Sequence, residues 1–372
     1  MTRCIRIGVI GTGLATRLLH LPVLHQMPDR FAIEAFANDT RAPAEKFAEL
    51  AGLTMHGYFA DYQDLLRRSD IEAVLVAVPI PNLYAIARDT LEAGKHLLCE
   101  KPLGVDLAQA RAFGELAIRF PDQRILIAEN RFYRDDLRLA RQLLDSDAIG
   151  QIHLMRWHQV AHLVPRDGDY SSTAWRQKPV YRGGPHLDAG VHDMAQIRLL
   201  RGNVRTVQAF INDANPTMGG PSDLTMNLRF TDSAIGNYLA AYLPFPSPDE
   251  ANEMRLYGTE GTLIVRRGRL RLTRLDGLEE TYTVESDNGY FNEWLNFHDA
   301  IAHGDAITGT VGQSFHNFAI VMAAIDSAEQ NRIIDVVEPF DSVSRSKVPL
   351  WRPRGASGLF DGLPCQISRT TG

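Results

Sequence analysis

Two short stretches carry side chains whose types and spacing suit acid–base chemistry. The first is Lys95-His96-Leu97-Leu98-Cys99-Glu100-Lys101-Pro102, in which an apolar strand over Lys95–Cys99 runs into a charged pair and a proline. An ammonium placed where a strand ends lies at the carboxyl edge of a sheet, where open α/β sheets bind ligands. Partial burial lowers the pKa of such an amine and equips it for proton transfer. The competing reading of Lys101 is an ordinary solvated loop lysine. The second stretch is Gly183-Gly184-Pro185-His186-Leu187-Asp188-Ala189-Gly190-Val191-His192-Asp193, preceded by Trp175-Arg176. Asp188 and His192 are four apart, so on one helix they share a face. A carboxylate beside an imidazole orients the ring and raises its basicity, as a general base requires. The plain alternative is a helical ion pair. His186, Asp188, His192 and Asp193 also cluster, but not at the spacing of a His-Glu-x-x-His zinc site, and no metal is expected.

The elements that must position these groups begin at the amino terminus. Cys4–Ile10 is rich in β-branched residues and reads as a buried parallel strand. Gly11-Thr12-Gly13 follows, and then a helical run from Leu14 to Leu19. Strand, glycine turn and helix in that order are the context of a dinucleotide fingerprint. The first glycine permits the tight turn, the second lets the backbone approach a pyrophosphate, and the helix start offers free N–H groups. The third small residue of the fingerprint is replaced by Thr16. A second strand, Phe31–Ala37, ends at Asn38-Asp39-Thr40-Arg41. An acid there takes the ribose hydroxyls and disfavours a 2′-phosphate. With Asn38 in that place the repulsion is missing and Arg41 could meet a phosphate; with Asp39 turned inward NAD is preferred. Arg41 as a solvated helix-start residue is the simpler reading. NAD or NADP both remain open, NAD being slightly preferred.

Further along, the pattern expects a helix over Ala44–Gly52, a strand near Thr54–Tyr58, a helix from Asp61 and an apolar strand over Ile71–Val78. Val78-Pro79-Ile80-Pro81-Asn82 is read as a loop near the cofactor, followed by a helix over Leu83–Ala93. Gln109–Arg119 continues as helix and Arg124–Glu129 as strand, so strands and helices alternate as in a doubly wound parallel sheet. After an amphipathic helix at Asp135–Leu144 the pattern changes. Ile152–Val160, Arg205–Asn212, Leu224–Phe230, Gly236–Tyr242, Met254–Tyr257 and Thr262–Val265 alternate as antiparallel strands with one covered face. Tyr290–Leu295 opens a helix, Phe315–Glu329 forms another, and residues 340–372 read as an extended arm or disordered tail.

The 372 residues favour two domains, and the 45% hydrophobic content is that of a globular protein. A net charge of −6 offers no footprint for nucleic acid and no polybasic signal for a membrane. Cys4, Cys99 and Cys365 are widely separated, which suits a reducing compartment. With no leader-like segment at the start and no long apolar run, a cytoplasmic protein is expected.

Taken together, these stretches resemble the Gfo/Idh/MocA oxidoreductases, the family of glucose-fructose oxidoreductase and inositol dehydrogenase. The resemblance extends to about residue 338. It rests on Gly11-Thr12-Gly13, the Glu92–Pro102 stretch, Arg131 with the following helix, Trp175-Arg176, Gly183-Gly184, Asp188-x-Gly190-x-His192 and Gly258-Thr259-Glu260-Gly261. It implies an α/β fold: an N-terminal Rossmann domain over 1–130, an α+β domain with a large, mostly antiparallel sheet over 131–338, and an arm over 339–372. It implies homodimers or homotetramers through the sheet and a cis peptide at Lys101–Pro102. Lys101, Asp188 and His192 would surround the reacting carbon. Cofactor positions would be Gly11, Thr12, Gly13, Leu14, Asn38, Asp39, Arg41, Val78, Pro79, Asn82, Glu100 and Lys101. The substrate would be a small hydroxylated molecule; Trp175, Arg176, Tyr181 and His186 are read from their types as pocket walls, with core or rim as the equal alternative for each. Thr16, Tyr84, Pro185 and Ala195 depart from the family pattern, which points to a pocket unlike that of a typical inositol dehydrogenase. The implied activity is hydride transfer between NAD(P) and a secondary alcohol or ketone. The rivals are an NAD-dependent glycosidase of the same fold and a non-catalytic sensor.

Overall fold

Strand β1 (Ile5–Ile10) is an apolar, β-branched run, and all of it except Arg6 is buried. It forms the centre of a six-stranded sheet in a computed structural model that describes residues 3–246, 251–285, 288–339, 341, 344–356, 358 and 365–371. The partners are β2 (Phe31–Ala37), β3 (Tyr58–Phe59), β4 (Ala73–Val76), β5 (His96–Glu100) and β6 (Ile125–Ala128), in the spatial order β3-β2-β1-β4-β5-β6. Every pairing is parallel. Chain order reverses at β1, so the carboxyl ends of β1 and β4 splay apart and leave a crevice.

Helices at Arg41–Ala51, Ile80–Glu92 and Leu107–Arg119 connect the strands. Asp106 caps the last of these by accepting the Gln109 N–H at 2.8 Å. Two sequence expectations are corrected here. The Thr54–Tyr58 segment is a 3₁₀ turn over Met55–Gly57, and only Tyr58 and Phe59 pair with β2. Edge strands with one neighbour are often this short. Val78–Asn82 is not a loop throughout, because the helix starts at Ile80. Pro81 lies in the first turn, where a missing N–H leaves no intrahelical bond unmade.

The chain divides into two compact units, Met1–Glu129 with Tyr290–Phe315, and Asn130–Gly289 with His316–Gly372. The helix Tyr290–His303 therefore sits in the first unit rather than in the 131–338 domain expected for it. Its apolar face decides this: Trp294 packs edge-on against Phe31, centroids 4.9 Å apart, and is fully buried.

The second unit holds a ten-stranded sheet built from β7 (Ile152–His162), β8 (Val204–Asn212), β9 (Asp223–Phe230), β10 (Ile235–Leu243), β11 (Ala251–Gly258), β12 (Gly261–Arg266), β13 (Arg269–Arg274), β14 (Leu278–Val284), β15 (Ile334–Asp335) and β16 (Cys365–Thr371). The order is β15-β8-β9-β10-β7-β11-β12-β13-β14-β16, antiparallel except between β7 and β10. Burial alternates along β9 and β10, the mark of a sheet with one covered face.

Residues 339–372 are not a disordered tail where they are described. Val348 and Trp351 are buried, and β16 pairs with β14. Arg141 Nη1 donates to Val348 O at 3.0 Å, and Arg138 Nε donates to Trp351 O at 3.1 Å. Backbone carbonyls of the arm thus find cationic donors on the helix Asp135–Asp145, which no periodicity rule reveals. Residues 340, 342–343, 357, 359–364 and 372 of this expected arm lie outside the described residues. Among the described residues, no helix is long and apolar enough to cross a membrane.

Candidate active site

In the first unit the glycine turn closes one side of a cleft of about 570 Å³. Gly11 has φ +90°, and a Cβ there would lie 2.2 Å from the Ala77 carbonyl oxygen, so no other residue fits. Around Gly13, by contrast, a Cβ would meet nothing within 4 Å. Thr12 is fully buried, yet its Oγ1 has no hydrogen-bond partner among the described residues. Open space above Gly13 and an orphaned hydroxyl beside a helix start, whose dipole favours an anion, fit the pyrophosphate of a dinucleotide.

Thr16, the departure from the fingerprint, is accommodated rather than disruptive. It is buried in a π-helical turn over Thr16–His20, and its Oγ1 donates to Gly11 O at 2.5 Å. The hydroxyl thereby ties the helix to the turn that a third glycine would merely have allowed to come close.

The cleft brings together Gly11, Asn38, Asp39, Val78, Pro79 and Asn82 of the expected cofactor positions. Thr12, Gly13, Leu14, Arg41, Glu100 and Lys101 are not part of its lining. Asn38 Oδ1 accepts the Thr12 N–H at 3.0 Å, while its Nδ2 donates to Asp39 Oδ1 at 3.2 Å and to Thr40 O at 2.9 Å. That side chain is committed to shaping the loop. Arg41 Nε donates to Glu45 Oε1 at 2.7 Å on the exposed helix surface, as the simpler reading has it. Asp61 and Tyr62 also line the cleft and went unnoticed in the sequence; they arrive after the edge strand, with no motif of their own.

Strand β5 ends on Glu100, one residue later than the pattern suggested, and delivers Lys101 half-buried at the carboxyl edge of the sheet. The Lys101–Pro102 peptide is cis. Glu100 is buried, and its Oε2 accepts the Lys101 N–H at 3.1 Å. Lys95, in contrast, is spent structurally: its Nζ donates to Arg68 O at 2.7 Å and Ile71 O at 2.9 Å.

The second unit contains a smaller pocket, about 170 Å³, walled by Tyr170, Arg176, Tyr181, Asp188, Met218 and Tyr242. The Gly183-Gly184 pair leads into its lining residue Pro185. A Cβ on Gly183, at φ +82°, would lie 2.4 Å from Ile325 Cδ1. The chain can then turn into a short helix, Pro185–Asp188, which breaks at Ala189 before the helix Gly190–Arg201. Asp188 and His192 therefore fall in successive short segments joined through Ala189, which itself keeps right-handed helical angles (φ −93°, ψ −35°).

Arg176 Nε donates to Asp188 Oδ2 at 2.6 Å, and its guanidinium stacks on Trp175 at 4.0 Å. The pair is the charged end of a pocket otherwise lined by three tyrosines, Ser171 and the apolar Leu163, Pro185, Ala189 and Met218. Trp175 supports Arg176 and is not part of the pocket lining. His192 is half-buried. His186 is not a pocket wall: it is 2% exposed, with its ring 5.6 Å from that of Tyr242. Burial pushes its pKa down to about 4, so it is neutral at pH 7. Burial pushes the Tyr181 and Tyr242 hydroxyls up, keeping both as phenols.

Residues 5–123 match the model of the oxidoreductase family with an NAD-binding Rossmann fold, and residues 137–264 match the GFO/IDH/MocA C-terminal domain. The chain is 26% identical to the uncharacterised protein YMR315W of Saccharomyces cerevisiae, over 88% of this chain and 97% of that one. It is 29% identical to dTDP-3,4-didehydro-2,6-dideoxy-alpha-D-glucose 3-reductase of Streptomyces violaceoruber, over 75% and 80% of the two chains. An oxidoreductase structure from Thermotoga maritima superposes with a TM-score of 0.82 at 29% identity, covering 90% of this chain and 99% of that one. With both family models in register on the two units, the chain belongs to the Gfo/Idh/MocA oxidoreductases, NAD(P)-dependent dehydrogenases and reductases acting on CH–OH groups.

Proposed function

We propose that the protein interconverts a secondary alcohol and a ketone on a sugar, polyol or inositol-like ring, with NAD or NADP as partner. The observation that carries this reading is the pocket that sets the faces of Tyr170, Tyr181 and Tyr242 beside the charged Arg176–Asp188 pair, one helical segment before His192. Aromatic faces suit the C–H faces of a hydroxylated ring, and the polar end suits its hydroxyls. The sugar reductase among the relatives supports the same class.

A bound dinucleotide would supply the hydride acceptor or donor, its pyrophosphate on the glycine turn, Asp39 at its ribose hydroxyls and the Val78–Asn82 segment beside it. His192 takes the hydroxyl proton during oxidation. Asp188, itself fixed by Arg176, orients the imidazole. Lys101 hydrogen-bonds the reacting oxygen and stabilises its developing negative charge. Homodimers or homotetramers form through the exposed face of the ten-stranded sheet, where Phe210 is 56% exposed and Ile235 52%.

The test is a nicotinamide fluorescence titration of the purified protein with NADH and NADPH, followed by a sugar and polyol panel. Binding of one dinucleotide and turnover with a change in nicotinamide absorbance are expected. Replacing His192 by Asn should lower kcat by ~10²–10⁴-fold, the usual contribution of a placed general base. Folded, cofactor-free protein that binds neither dinucleotide overturns the reading. So does sugar release without absorbance change, which belongs to a glycosidase.

A further inference from the structure

Behind the candidate lysine lies a set of buried polar groups that neither the nucleotide cleft nor the aromatic pocket uses. His20, the last residue of the π-helical turn, is fully buried. Its Nδ1 accepts the indole Nε1–H of Trp294 at 3.1 Å. An indole nitrogen only donates, so the imidazole proton sits on Nε2. That nitrogen donates to Glu100 Oε1 at 3.0 Å. The other carboxylate oxygen of Glu100 accepts the backbone N–H of Lys101 at 3.1 Å.

Three elements thus converge on one peptide: the helix after the glycine turn, the helix Tyr290–His303 and the end of β5. We propose that Trp294, His20 and Glu100 are positioning residues whose hydrogen-bond relay sets the direction of Lys101. The proposal rests on the catalytic reading of Lys101 given above. It links the seating of the nucleotide-binding helix to the lysine, because His20 and the glycine turn are held on the same short turn through Thr16.

The neighbours of the relay support it. Glu293, one residue before Trp294, is fully buried, with neither carboxyl oxygen hydrogen-bonded among the described residues. Burial first, then Glu100 and Glu129, push its pKa well up. Tyr290 closes the other side, its ring edge-on to His20 at 5.6 Å.

The relay is tested on the full chain by limited acetylation with acetic anhydride, with mass-spectrometric mapping of Lys101 against the exposed Lys178. Glu100→Gln preserves shape but must turn an N–H group toward either His20 or the Lys101 amide, so one bond is lost. His20→Leu removes both imidazole bonds, whereas His20→Gln can keep both. The expected result is a several-fold change in the Lys101-to-Lys178 labelling ratio for Glu100→Gln and His20→Leu, restored by His20→Gln. With a panel substrate that turns over, the same two variants should lose kcat by about 10²-fold at nearly unchanged KM, as a misplaced catalytic group does. An unchanged ratio in Glu100→Gln overturns the relay, and so does a change that His20→Gln fails to reverse, since packing alone then explains it. Lys101→Met separates the two readings. If it abolishes turnover while Glu100→Gln does not, the relay fails and the catalytic role stands; if it leaves turnover intact, the catalytic role fails.

Discussion

Single residues in this protein differ in what a substitution would reveal, and Gly11 with Gly13 shows why. At Gly11 any side chain collides with the Ala77 carbonyl, so a variant tests the fold as much as binding. At Gly13 an added methyl enters open space and meets no protein atom within 4 Å. Gly13→Ala should therefore keep its thermal midpoint yet bind NADH or NADPH at least about tenfold more weakly, some 1.4 kcal/mol. Calorimetry and fluorescence titration on one preparation check both halves. His186 provides a pH signature. Its pKa is about 4 in the fold against 6.5 ordinarily, so between those values the unfolded chain binds more protons. Stability then rises with pH across that window and declines as pH falls from 6.5 toward 4. Between pH 7 and pH 5 this one group should cost about 2 kcal/mol. Urea midpoints at the two pH values should differ less in a His186→Phe variant than in the parent.

At the scale of elements, the carboxy-terminal arm is the segment whose contribution is least apparent from its composition. Trp351 is 5% exposed, and the Arg138 guanidinium lies 4.8 Å from its ring centroid. Tyr133 meets the same indole at 6.0 Å. Trp351→Ala should cost about 3–5 kcal/mol, the range for emptying a buried aromatic site. A denaturant midpoint indistinguishable from the parent would show that the arm is not part of the cooperative core. Short elements would carry the proposed chemistry. The helix Pro185–Asp188 spans four residues, Asp188 is held by Arg176, and the next helix starts at Gly190, two residues before His192. Ala189 keeps right-handed helical angles between the two segments, and the His192 N–H donates to the Ala189 carbonyl at 3.1 Å, so the joint is a tightened turn that the residue spacing does not announce.

For the whole molecule, the ten-stranded sheet is the feature that would govern assembly. Phe210, Thr225 and Leu239 are in register across β8, β9 and β10 and lie on the face opposite the covered one. A charge at Phe210 would leave the covered face intact while opposing association through the exposed one. Phe210→Asp should shift the sedimentation profile toward monomer without lowering the thermal midpoint of the protomer. An unchanged profile would remove this face from the proposed assembly.

The sequence by itself determined the local patterns: the buried parallel strands, the glycine turn, the Glu100-Lys101-Pro102 edge and the alternation of β9 and β10. These depend on side-chain period and on backbone freedom within a few residues, and both are written in neighbouring letters. Only the tertiary structure decided which long-range partner each polar group found. It buried His186 against Tyr242, committed Asn38 to its own loop and joined His20 to Glu100 across eighty residues and to Trp294 across 274. It also carried β13, β14 and β16 into the sheet, although their outward faces are polar and their spacing carries no motif. The physical reason is the same in each case. A hydrogen bond or a packed face is specified by what the folded chain brings opposite it, and no local rule contains that information.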